Sequence, residues 1–126
     1  MDLRRQAIYM GRSRVLVGLS MLADPGRSAR VWAGSDAGAS TRMWTRMTGI
    51  REVAIGVGSA TAAAQGTGGA DWLSMEAVCD LADGAIALFA RSVPRRTRLL
   101  GLVVIGYGLA ELALARRLGD AENEIS

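Results

Sequence analysis

Hydrophobic positions in this chain of 126 residues gather into four long stretches, each closed by a polar or glycine-rich break. The pattern predicts helices over about residues 7–23, 43–64, 72–93 and 99–118. Asp24-Pro25-Gly26 should end the first sharply, because proline has no amide hydrogen to donate and clashes with a continuing helix. A loop rich in Gly, Ser and Ala follows over 24–42. QGTGGA separates the second helix from the third, and SVPRRTR, with Pro94 as breaker, separates the third from the fourth. The acidic tail, 119–126, reads as frayed. Residues 1–126 are thus expected to form one all-α domain, an antiparallel up-down-up-down bundle of four helices.

The stretch from Trp72 to Arg91, WLSMEAVCDLADGAIALFAR, organises the rest. It is apolar enough to be buried, yet it carries Glu76, Asp80 and Asp83 at i, i+4 and i+7, on one helical face. The stretch 43–64 answers with Arg51 and Glu52 inside a small, apolar run. Buried charge is costly unless paired, so the two stretches are expected to be neighbours. Gly49 and Gly56, seven residues apart, share a face that lets another helix approach closely.

The last stretch, LLGLVVIGYGLAELALARRL, has Glu111 as its one interior charge and almost no polar face. A surface helix of a soluble protein should show one. Its length suits a bilayer core of about 30 Å, so the reading is a transmembrane bundle, with a soluble four-helix bundle as the alternative. Ionisable residues inside membranes face the bundle interior and pair. Depth makes the pairing specific. At 1.5 Å per residue, Arg51 lies about 12 Å into its helix, Asp83 about 12 Å and Asp80 about 16 Å from the same side. Arg14 and Glu111 each lie about 10 Å in from the face that carries the termini. Two ion pairs at different depths are expected, Arg51 with Asp83 or Asp80 and Arg14 with Glu111. Glu76 is shallower and is expected near the headgroups.

Composition adds location. All 15 basic residues are Arg, and the net charge is +3. They cluster at segment ends, which suits a membrane surface and not nucleic acid. Arg27, Arg30, Arg42, Arg91, Arg95, Arg96 and Arg98 fall in or beside the 24–42 and 92–98 loops. Arg4, Arg5, Arg116 and Arg117 lie on the opposite face. The positive-inside rule then places the two Arg-rich loops in the cytoplasm and both termini outside a cell (inner) membrane crossed four times. Cys79 is a lone cysteine, which excludes an intrachain disulfide, and it reads as a buried, inert thiol.

Residues for chemistry are few. The chain has no His, the commonest general base and metal ligand, so no Ser-His or Cys-His nucleophile exists. Gly56-Val57-Gly58-Ser59-Ala60-Thr61 lacks the third glycine and the preceding strand of a dinucleotide loop. No cofactor and no metal are expected. Asp80-Leu81-Ala82-Asp83-Gly84-Ala85-Ile86-Ala87 resembles the opening of the CDP-alcohol phosphotransferase motif, which implies a membrane enzyme that binds divalent metal through Asp. That pattern continues with Arg where this chain has Leu88, and it needs two further Asp that are missing from 91–119.

A second resemblance covers about residues 8–118. The Pro-containing turn after the first helix, the segment Gly49-Ile50-Arg51-Glu52-Val53-Ala54-Ile55-Gly56, the Asp80/Asp83 pair and an apolar last helix with Gly106 and Gly108 resemble small four-span bacterial membrane proteins of actinobacterial type, a family of unknown function. The resemblance implies fold and location but no activity. The expected function is a structural, accessory or partner-binding role in the lipid bilayer, built around a buried Arg/Asp network. Another membrane protein or a second copy of the chain is the expected partner, through the Gly-lined faces. Two rival classes are a small transporter or proton-linked carrier, and an enzyme acting on a lipid-like substrate at Asp80 and Asp83. The residues that carry any of these readings are Arg14, Arg51, Glu52, Glu76, Asp80, Asp83 and Glu111. A water-filled cavity reaching the acids would favour the carrier, an apolar pocket ending at them a lipid binder or enzyme, and a dry paired core the structural role.

Overall fold

Asp24 serves two helices at once. Its backbone amide donates to the Ser20 carbonyl and closes α1 (Leu3–Ala23), while its side chain accepts from the Arg27 amide at 2.9 Å and opens α2 (Pro25–Ala33). Pro25 therefore starts a helix as well as ending one, because its missing donor costs nothing in a first helical turn. The structure, a computed structural model, describes residues 2–34 and 38–125, without the side chains of Ala33 and Ile125. Its described residues are all-helical: α3 (Ala39–Gln65), α4 (Gly69–Phe89) and α5 (Arg95–Ile125) complete the chain.

Two differences from the sequence reading have local causes. The 24–42 stretch holds the helix α2 where a loop was expected; its residues 35–37 lie outside the described residues. α2 is held down by buried Ala29 and by the Thr97 hydroxyl, which donates to the Trp32 carbonyl. The tail expected to fray is helical through Ile125, and the Glu122 carboxylate accepts from the Gly69 amide at 3.2 Å. That contact sets an acid on the N-terminus of α4, where the helix dipole favours it. At the same end Arg4 donates through Nε to the Ala63 carbonyl at 2.7 Å and through Nη2 to that of Ala64, closing the C-terminus of α3.

The four long helices form two tight pairs. α1 lies along α3, and α4 lies along α5, with far less contact between the pairs. Each pair is closed by backbones that touch. A Cβ on Gly11 would sit 2.8 Å from the Gly56 carbonyl oxygen, and one on Gly49 would sit 2.8 Å from that of Gly18. In the other pair, a Cβ on Gly84 would meet the Gly101 oxygen at 2.7 Å, and one on Gly101 the Gly84 oxygen at the same distance. Only hydrogen fits at these positions.

Along its axis the bundle has three zones. Ala7, Ala63, Leu73, Leu114, Ala115 and Leu118 form an apolar plug at the end that carries the termini. Buried Arg14, Glu52, Glu76, Asp80 and Glu111 fill the middle. α2 covers part of the far end. The outside reverses the usual polarity: Leu16 on α1 is 69% exposed, Ile50 on α3 61%, Ile86 on α4 70% and Val103 on α5 67%. One helix among the described residues, Arg95–Glu124 within α5, is by itself long and apolar enough to cross a membrane.

Candidate functional site

Arg14 is the hub of the middle zone. Gly11, Arg14 and Gly18 follow one another at helical spacing on α1, so the face that touches α3 also delivers the guanidinium to the centre of the bundle. Arg14 Nη1 donates to Glu52 Oε2 on α3. Nη2 donates to Asp80 Oδ2 on α4 at 2.6 Å and to Glu111 Oε1 on α5 at 3.1 Å. Nε lies 3.6 Å from Glu76 Oε1 on α4. One planar cation with five N–H groups thus touches all four long helices, which a lysine ammonium on its flexible stem cannot do.

Arg51 forms the second centre. It donates through Nη2 to Asp83 on α4 and, at 3.2 Å, to Glu52 Oε1 beside it. The partner expected from equal depth, Asp83 or Asp80, is therefore Asp83, because Asp80 is taken by Arg14. Arg14 also meets Glu111, the other pairing that depth suggests. Two separate pairs were expected, but Glu52 touches both arginines and joins them into one network. Glu76 differs more. Expected near headgroups, it is fully buried beside Arg14, because the 3.6-residue turn puts it on the same inward face as Leu73, Ala77, Asp80 and Gly84. Cys79 lies one residue before Asp80, off the centre of that face, and is partly exposed where burial was expected.

Charge and hydrogen bonding are both incomplete here. Two guanidiniums stand against five carboxylates, Glu52, Glu76, Asp80, Asp83 and Glu111, an excess of three acids. Glu76 is the most weakly held of the acids: no arginine hydrogen-bonds to it, the neutral Ser59 hydroxyl is the donor beside it, and Arg14 Nε has no hydrogen-bond partner. Unmet polar atoms in a dry interior are expensive, so this is the least settled part of the core.

The network forms one wall of a cavity of about 510 Å³, a size that accommodates a drug-like molecule. Arg14, Arg51, Glu52, Asp80 and Asp83 supply the charged floor. The remaining walls are mostly apolar and include Met21 and Trp32 on one side, Trp44 on α3 and Val103 on α5. Ser13 and Tyr107, whose hydroxyls are 3.2 Å apart, line this cavity and also a second, more open groove reaching Tyr9. Sequence reasoning missed Ser13, Tyr107 and Trp44 as cavity walls, and Arg14 as the hub. The spacing of Arg14 from Gly11 and Gly18 was the available signal.

Asp80 and Asp83 point at different arginines. Among the described residues no group of three or more His, Cys, Asp or Glu is placed to hold a metal ion, since the acids that converge here do so on Arg14, and the donor set of the phosphotransferase motif is not assembled. No family model, curated protein or solved structure matches this chain.

Proposed function

We propose that this chain is an integral membrane protein of four spans that binds a small amphipathic molecule between its two helix pairs, in a binding or carrier role without bond chemistry of its own. The observation that carries the reading is the apolar cavity ending on a charged floor. A purely structural clasp would leave that space unexplained.

The membrane part rests on the reversed polarity. Hydropathy counts every residue of a helix, whichever way it faces. Arg14, Glu52, Glu76 and Asp80 therefore lower the averages of α1, α3 and α4, although these side chains are turned inward and would meet no lipid. What these helices would show to lipid is Leu16, Leu19, Ile50, Val57, Val78 and Ile86. Their lengths, 21, 27 and 21 residues, are sufficient for a hydrocarbon core of about 30 Å. Arg46 is exposed seven residues into α3, where its long stem reaches the interface by snorkelling; Arg12 is exposed near the middle of α1, where a span has to shelter it against a partner or by local thinning of the bilayer. The Arg-rich turns at 24–42 and 92–98 would face the cytoplasm and both termini the outside.

The test uses a protein with Trp32→Phe and Trp72→Phe, leaving Trp44 as the sole tryptophan, in phospholipid vesicles. Trp44 emission should respond saturably to at least one of decylamine, decanol and decanoate. Thr48→Phe, which narrows the cavity, should remove that response. A response that never saturates, or survives Thr48→Phe, is partitioning into lipid and would sink the binding role.

A further inference from the structure

We propose that the cavity takes a lipophilic organic cation, and that the cation enters in exchange for a proton held on Glu76. The inference rests on the binding role proposed above and adds the charge of the ligand and the ion it displaces.

The charge count gives the sign. The helix pair α1/α3 brings Arg14, Arg51 and Glu52 to the seam, and the pair α4/α5 brings Glu76, Asp80, Asp83 and Glu111. The seam therefore lacks positive charge. A region with an excess of three buried or half-buried carboxylates repels anions and neutralises itself with cations, protons included. The cavity walls decide which cation enters. The hydroxyls of Ser13, Thr41, Thr45, Thr48 and Tyr107 are set among walls that are mostly apolar, with Trp32, Trp44, Met21, Val17 and Val103. They offer apolar area and aromatic rings, which suit a cation that carries its own apolar surface.

Glu76 is the place for the proton. It is fully buried, no guanidinium hydrogen-bonds to it, and the neutral Ser59 hydroxyl is the donor beside it. Glu52, Asp80 and Glu111 each accept from Arg14, and Asp83 accepts from Arg51. A buried carboxylate without a charged donor is the one that gains most from becoming a neutral carboxyl. The groups around it are Arg14 on α1, Glu52 and Ser59 on α3, Asp80 on α4, and Glu111 and Tyr107 on α5. Arg14 links the two places, since it lines the cavity and lies 3.6 Å from Glu76 Oε1. With the cation over Glu52, Asp80 and Asp83, the Glu76 carboxyl releases its proton to bulk water and the charge of the seam is unchanged. Leaving the proton off in the empty protein would add one more uncompensated buried charge.

Tetraphenylphosphonium and tetraphenylborate have the same shape and opposite charge, and calorimetric titration of the detergent-solubilised protein with each reads the sign directly. Repeating the titration in buffers of different ionisation enthalpy counts protons released. Tetraphenylphosphonium should bind, tetraphenylborate should not, and about one proton should leave per cation bound. By linkage, the affinity should then weaken about tenfold per pH unit on acidification. Glu76→Gln, which fixes the neutral form, should weaken cation binding at least tenfold and abolish the release, and Glu76→Asp should retain it. Equal binding of both ions would leave the binding role standing and overturn the charge. Selective cation binding with no proton release, or release unchanged in Glu76→Gln, would overturn the exchange. Binding of neither would overturn the cation proposal and leave the binding role to the Trp44 titration with decylamine, decanol and decanoate. Should Glu76→Gln fail to fold, the proton count of the wild-type protein decides alone.

Discussion

Arg14 Nη2 on α1 lies 3.1 Å from Glu111 Oε1 on α5, 97 residues away, in the centre of the bundle. The contact is one of four that a single guanidinium makes, and each joins α1 to a different carboxylate. The α1/α3 and α4/α5 pairs are closed internally by glycine backbones, whereas Arg14 and Arg51 tie one pair to the other. Arg14→Ala should therefore separate the pairs more than Arg51→Ala, which removes contacts to one carboxylate on each side. Losing one partner of a buried pair costs about 3–5 kcal/mol in soluble cores. Single polar couplings inside membranes average about 0.6 kcal/mol. Arg14→Ala should lie near the upper figure and Arg51→Ala near the lower. Arg51→Ala with Asp83→Ala should be milder than Arg51→Ala alone. Thermal unfolding in detergent across these variants is the measurement, and strict additivity would remove the clasp.

Charge alone should not rescue the hub. Arg14→Lys keeps the positive charge but offers three donors from one point. It is expected to recover less than half of the stability lost in Arg14→Ala, read as melting temperature. Full recovery would mean that the fork geometry is irrelevant.

The glycine contacts make a separate claim. Gly18→Leu and Gly56→Leu should part α1 from α3, because a Cβ at either place already overlaps the facing backbone. Gly106→Leu should be harmless, since nothing lies within 4 Å of its Cβ position. Pairs of cysteines placed across α1 and α3 would report the separation as lost crosslinking, and crosslinking retained in Gly18→Leu would contradict the packing.

Much of this was legible in the sequence, but through an unusual signal. Turn chemistry marks the breaks between the long helices, and equal depth leads from Arg51 to Asp83. The inward faces could not be found by looking for large apolar residues, because those point outward. They are marked by glycine and charge at helical spacing: Gly11, Arg14 and Gly18 on α1, Gly49, Glu52, Gly56 and Ser59 on α3. Taken as the core pattern, that spacing turns Arg14 and Glu52 inward and leaves Arg51 at the edge. Depth alone puts Glu76 near the headgroups, whereas its helical face turns it into the core. α2 is hidden in the pattern because Pro25 reads as a stop, while proline at a first helical position is equally a start.

Orientation has its own measurement. Cysteine in place of Thr97 would disturb the bond to Trp32, so Ser92 is the better position for a label near that turn. A maleimide should reach Ser92→Cys only from the cytoplasmic side and Glu124→Cys only from outside, in a Cys79→Ala background. The opposite accessibility would invert the protein without changing its fold.

The most direct test of the central claim, a bundle with its charges inside and its apolar side chains toward lipid, is alkaline carbonate extraction of membranes from cells expressing the full chain. The protein should stay in the pellet and leave it only with detergent. Release into the supernatant, and recovery as a monodisperse monomer without detergent, would contradict it.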